Sequence, residues 1–236
     1  MPSQISQLIS EISAAQTYEA IHPARAARLR EMQAWQSARL QRTYADFASD
    51  ARYRDALDFF VRDLYGPHDF SARNRQIAKV TGTWERLLPQ RGVDAILGAL
   101  QLEALSQSLD LSVTEQLSDA PLDEALYASA YRAAGRREDR QHQIKLIIEA
   151  GQALDGLIRA QWVHPALKVA RRPARLLGVM ALHEFLERGF TAFAKMEDAT
   201  DLLRAIEERE VAIMNNLFAA RPHPFAIEAN TTPRRA

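Results

Sequence analysis

Apolar residues recur along this chain at intervals of three and four, and almost nowhere at intervals of two. Ile5, Leu8, Ile9 and Ile12 draw one helical stripe between Ser3 and Glu19, with Ala15 as a weak extension. After His22-Pro23 a second stripe runs through Leu29, Met32, Gln36, Leu40, Thr43, Tyr44 and Phe47 to Ala48. Its Gln36 and Thr43 make that inner face less dry than a pure core. Tyr53, Ala56, Leu57, Phe60 and Leu64 predict a third helix, capped by Ser49 or Asp50 and stopped by Gly66-Pro67. Asp69 or Ser71 then caps a short helix to Val80, and Thr83 to Leu88 adds another turn or two.

The second half repeats the pattern. Gly92 to Asp110 is predicted helical, Thr114 to Leu117 forms a turn of helix, and Pro121 starts a helix that Gly135 ends. Arg136 to Trp162 is a long helix with Ile144, Ile147, Ile148, Leu154 and Ile158 on one face. His164-Pro165 and Arg172-Pro173 bracket a short one, Ala174 to Met196 follows, and Ala199 to Phe218 closes the set. Alternation never persists long enough for a strand. The fold class is therefore all-α, a single bundle of about eight to eleven helices without a sheet. It is expected over residues 1–220, with a possible seam at 111–121 and a flexible C-terminal tail at 221–236.

Composition narrows the chemistry. Hydrophobic residues at 47% and charged ones at 25% are ordinary globular values. With 30 basic and 30 acidic residues the net charge is zero, so neither nucleic acid nor an anionic membrane is expected as a partner. The absence of cysteine excludes disulfides and thiolate chemistry. No apolar window is long enough to span a bilayer and the N-terminus does not read as a signal peptide, so a cytoplasmic location is expected.

Four residues at one corner could do general acid/base work or hold a metal: Asp63, Tyr65, His68 and Asp69. The same residue types also describe a helix end, a Gly-Pro turn and an Asp cap, with Phe59, Phe60 and Phe70 as anchors, and that structural reading accounts for most of them. His183 lies in an apolar stripe between Val179, Leu186 and Phe190. It reads as a core imidazole partnered by Glu187, with metal or axial haem ligation as the alternative. Glu19-x-x-His22 and Asp139-x-x-His142 match the spacing of di-iron ligands. His22 stands at a helix break and His142 off the apolar face, so both read as chance. No cofactor is expected; haem and a di-iron centre remain the alternatives.

Basic residues cluster at Lys168, Arg171, Arg172 and Arg175, and at Arg132, Arg136, Arg137 and Arg140. Either cluster suits a phosphate, and each also suits a solvated helix end. Arg137 or Arg140 is expected to reach Asp63 or Asp69, with Tyr127 and Tyr131, four residues apart, lining the same polar pocket. The candidate ligand-binding residues are thus Arg73, Tyr127, Tyr131, Arg132 and Arg140.

The run Phe59-Phe60-x-x-Asp63-Leu64-Tyr65-Gly66-Pro67-x-Asp69-Phe70-Ser71-x-Arg73 resembles an FF-x-x-DLYGP-x-DF-S-x-R signature in an uncharacterised group of bacterial proteins. The resemblance continues through Leu102-Glu103-Ala104-Leu105-Ser106 and Tyr131-Arg132. It implies a helical fold and carries no activity with it. Such proteins often have Asp after the signature arginine, where this chain has Asn74, which weakens any scheme needing a third carboxylate. The chain thus reads as a helical binding or interaction protein, possible as a homodimer, with an aromatic-lined groove for a small apolar or anionic ligand or a partner helix. The alternative is a haem- or metal-dependent enzyme with its site at 59–70 and His183.

Overall fold

A computed structural model describes residues 4–66, 71–87, 89–160 and 162–227. These form eleven α-helices and one π-helical turn, with no strand among the described residues. The helices are α1 (Gln4–Ile21), α2 (Pro23–Thr43), α3 (Ala45–Ser49), α4 (Ala51–Phe59), α5 (Ser71–Leu87) and α6 (Gln90–Thr114). They continue as α7 (Glu124–Ala134), α8 (Arg137–Ile158), α9 (Val163–Leu176), α10 (Met180–Ala194) and α11 (Thr200–Phe218). None of them is long and apolar enough to cross a membrane.

The predicted stripes become three core clusters. Ile5, Ile9 and Ile12 of α1 pack with Ile77, Val80, Leu100 and Leu182. Leu29 and Met32 of α2 meet Val113, Tyr127, Tyr131, Ile213 and Leu217. Tyr44, Tyr53 and Ala56 meet Met196, Ala199 and Leu202. Long α6 is the central post, flanked by α1, α2 and α8, with α11 covering α7 and α8.

Where helix boundaries differ from expectation, local chemistry gives the reason. α5 runs unbroken to Leu87, because a single glycine such as Gly82 costs a helix only about 1 kcal/mol, too little to end it. α6 passes Asp110 to Thr114, where Thr114 Oγ1 donates to the Asp110 carbonyl at 2.8 Å and buried Val113 fastens the last turn. Helix α7 begins at Glu124 rather than Pro121, since the Asp123 side chain accepts from the Leu126 N–H at 2.8 Å. Pro173 lies inside α9, and the break falls at Gly178. There φ is +67°, Val179 N donates to the Ala174 carbonyl at 2.9 Å and Gly178 N to that of Arg175 at 3.2 Å. That pair of bonds is a Schellman cap, sealed by the buried contact of Val179 with Ala174.

Across 111–121, Leu111 and Leu117 pack against the same cluster as α2, α7 and α11. Arg28 ties this segment to α2 by donating to the carbonyls of Ser118 at 2.5 Å and Ala120 at 2.7 Å. Residues 221–227 are likewise held: Pro224 is buried, and the Phe225 ring meets Trp35 edge-on at 5.5 Å.

Candidate functional site

The signature corner is built on a π turn. Phe60–Leu64 is π-helical, and Tyr65 N donates to the Phe60 carbonyl at 2.9 Å, five residues back. The turn hangs on Phe59, whose ring lies against Gly189 of α10 so closely that a Cβ there would come within 2.8 Å of Cζ. Phe185 and Phe193 complete the aromatic seat at 5.3 and 5.9 Å between centroids.

The wider turn sends its polar side chains in different directions. Asp63 faces outward to Arg188 at 2.6 Å, while Tyr65 turns inward and its hydroxyl donates to Asp110 Oδ2 at 3.2 Å. Asp63 therefore pairs with neither Arg137 nor Arg140, and the alternative partner Asp69 lies outside the described residues. Arg137 donates to Asn215 Oδ1 at 2.5 Å, and Arg140 lies elsewhere in the core. His68 and Asp69 lie outside the described residues.

Next to the corner is a closed polar knot. Arg73 donates to Glu103 Oε2 at 2.9 Å and to the Asp63 carbonyl at 3.2 Å, with its guanidinium over the Phe185 ring. Asn74, 1% exposed, donates to the other Glu103 oxygen at 2.9 Å. An amide suits this place because it supplies the N–H that a carboxylate lacks.

A second polar cluster lies between α2, α7, α8 and α11, around a cavity of about 40 Å³. Arg39, Tyr127, Tyr131, Arg140, Gln143 and Glu210 line it. Arg39 and Glu210 form an ion pair at 2.6 Å, and the Tyr44 hydroxyl donates to the same carboxylate oxygen at 2.9 Å. Burial alone would lower the Arg39 pKa, but the Glu210 carboxylate outweighs it and holds the guanidinium above its usual value. Burial raises the phenols of Tyr44, Tyr65, Tyr127 and Tyr131, so all stay protonated donors at neutral pH.

Arg140 differs from Arg39. It is 6% exposed, yet among the described residues it has no carboxylate within ion-pair distance. Its guanidinium donates to two neutral acceptors, Gln143 Oε1 at 3.2 Å and the Leu109 carbonyl at 3.3 Å, and stacks over the Tyr131 ring at 4.7 Å. Gln143 is itself fixed by donating to Ser106 Oγ at 2.8 Å. The Tyr127 and Tyr131 hydroxyls have no hydrogen-bond partner among the described residues, although their side chains are buried at 2% and 6% exposure. Phe225 walls one side, and Trp35 stacks on the lining Tyr127 at 4.4 Å.

Of the residues proposed to bind ligand, Tyr127, Tyr131 and Arg140 thus converge. Arg73 belongs to the knot, and Arg132 donates to the Leu217 carbonyl at 3.4 Å at the end of α11. Arg39 and Glu210 were not among the candidates; the one signal was the polar Gln36 inside the α2 stripe, which lines the cavity.

His183 is buried, and its Nε2 lies 2.8 Å from the Leu167 carbonyl, which fixes that nitrogen as the donor. Nδ1 is 3.6 Å from Glu187 Oε2 and makes no hydrogen bond. Asp139 pairs with Arg136 and His142 is exposed. Among the described residues no three His, Asp or Glu side chains gather as a metal site. An open cleft of about 390 Å³ runs between α9 and α10, with Glu187 and Arg188 on its floor. Its Arg188 is paired with Asp63 and its Asp55 with Lys195.

No curated protein and no solved structure matches the chain. A family model described as a domain of unknown function (DUF8198) matches residues 15–224, which takes in the signature corner, the knot and the polar cavity. The chain belongs to the DUF8198 family, an uncharacterised one.

Proposed function

We propose that this is a helical binding protein whose aromatic-lined cavity takes a small anion, or the carboxylate end of a small molecule. One observation carries the reading: a buried guanidinium that pairs with no carboxylate among the described residues, flanked by two phenols with no acceptor among them, around a polar space. One bound carboxylate would accept from both phenols and from the guanidinium at once, in a site where a charge-assisted hydrogen bond is stronger than a neutral one. The cavity volume suits such a head group and excludes bulkier anions unless Phe225 moves from its wall.

The test is thermal unfolding in formate or acetate against chloride at equal ionic strength, with native mass spectrometry of the protein as isolated. Carboxylate at ten times its dissociation constant stabilises by about 1.4 kcal/mol, and Arg140→Met abolishes that gain. Equal midpoints in carboxylate and chloride, with a bare mass as isolated, would leave only trapped water in the cavity and end the proposal.

A further inference from the structure

Helix α9 is little buried for its length among the described residues. Only Ala174 is buried within it, and Val163 and Leu167 are half-buried against the body. Trp162, Val169 and Leu176 follow one another at seven-residue steps, two helical turns each, and so share one line along the outer side. Val169 is 76% and Leu176 87% exposed, and exposed Leu177 widens the stripe at its end. Ala166 and Pro173, small and exposed, fill the line between them.

Beside this stripe stand Lys168, Arg171, Arg172 and Arg175, all exposed. None of the four makes an ion pair or side-chain hydrogen bond among the described residues. From Arg159 to His183 the sequence contains no acidic residue. Zero net charge made an anionic membrane an unexpected partner, but that average hides a segment whose charge is all of one sign. The helix has three sectors: one packed on the protein, one basic, one apolar and open.

We propose that α9 is a membrane-surface helix that lies on bilayers containing anionic lipid. Trp162, Val169, Leu176 and Leu177 enter the headgroup boundary, and Lys168, Arg171, Arg172 and Arg175 meet the lipid phosphates and carboxylates. The combination of an exposed tryptophan, branched apolar residues and unpaired cations on the open side of one helix is what interfacial binding needs. A second copy is a poorer occupant, because a two-fold contact of this face would set its cations against themselves. Nucleic acid would meet the cations but leave the apolar stripe in water.

Sedimentation of the full chain with vesicles decides it. The protein is expected to bind vesicles of equal parts phosphatidylcholine and phosphatidylserine, to leave them as salt rises, and to ignore pure phosphatidylcholine. Each basic residue near such a surface contributes about fivefold in partitioning, so Arg171→Glu with Arg175→Glu should weaken binding by about twenty-fivefold or more. Val169→Ser with Leu176→Ser should weaken it too, with an unchanged unfolding midpoint, since both side chains are already in water. No binding to the mixed vesicles overturns the proposal, as does equal binding to both lipids. So does full binding by the serine variant, which would reduce the effect to bulk charge attraction. A dimer of the wild type that the same substitutions dissolve would assign the face to a second copy instead.

Discussion

Arg73 and Arg140 sit in buried polar clusters of similar make-up, each with an aromatic ring under the guanidinium. Arg73 meets a carboxylate, a carbonyl and an amide oxygen, and the neighbouring Asn74 supplies the N–H that Glu103 still needs. Arg140 meets only neutral acceptors, and the phenols beside it donate to nothing among the described residues. Residue types alone would rank the signature corner first, since it holds more of the chemistry. Unmet hydrogen-bonding capacity ranks it second. A closed knot locks two helices; an open one holds a place for something.

The largest expected consequence concerns the phenols, of which Tyr44, Tyr127 and Tyr131 belong to the open cluster and Tyr65 to the signature corner. Burial keeps Tyr44, Tyr65, Tyr127 and Tyr131 above the ordinary phenol pKa, with Glu210 adding to the effect at Tyr44 and Asp110 at Tyr65. For an acid raised by folding, the stabilisation is complete below the unfolded pKa near 10 and is lost as pH rises past it. Each unit above that costs about 1.4 kcal/mol per phenol, so a few units exhaust a typical stability of about 5–15 kcal/mol. Tyrosinate absorbance and helical circular dichroism should therefore change together on alkaline titration. Four phenols ionising within an intact helical fold would mean that the cluster is open to water.

Within the open cluster the paired arginine should matter most. Arg39→Met strands the Glu210 carboxylate, whose side chain is 15% exposed, and should cost about 3–5 kcal/mol in urea unfolding. The knot gives a somewhat smaller number. Asn74→Asp sets a second carboxylate against Glu103 with one arginine to share, at about 2–4 kcal/mol at neutral pH. The like charge raises one carboxyl pKa in the folded state, so this deficit appears above the ordinary carboxylate range and shrinks as pH falls toward about 4. A variant equally stable at both pH values would show that the knot is wetter than its geometry implies.

The fold was legible because apolar periodicity is a local property, and each stripe marks the side of a helix that must be covered. Errors came where a single residue was asked to stop a helix. Pro173 stands in the interior of α9, and Asp110, read as a terminus, is a buried acceptor for Tyr65. Tyr127, Tyr131 and Arg140 were legible as neighbours because the tyrosines lie one turn apart and Arg140 shares a face with Ile144. Arg39 and Glu210 are 171 residues apart, and each alone looks like a solvated surface charge. Nothing local distinguishes a buried ion pair from two exposed ones; only the packing of α2 on α11 does.

The smallest expected effect bears most directly on the comparison. Arg140→Met removes a buried charge that has no carboxylate to leave behind, so the loss of a guanidinium and the gain of an apolar side chain nearly offset. Stability without ligand should change by no more than about 1 kcal/mol, against the several that Arg39→Met costs. The same variant should lose the whole carboxylate-dependent gain in unfolding midpoint. A large loss of intrinsic stability would mean that Gln143, Leu109 and Tyr131 already meet the needs of Arg140. The two arginine clusters would then be alike, and the cavity a packing defect between α2, α7, α8 and α11.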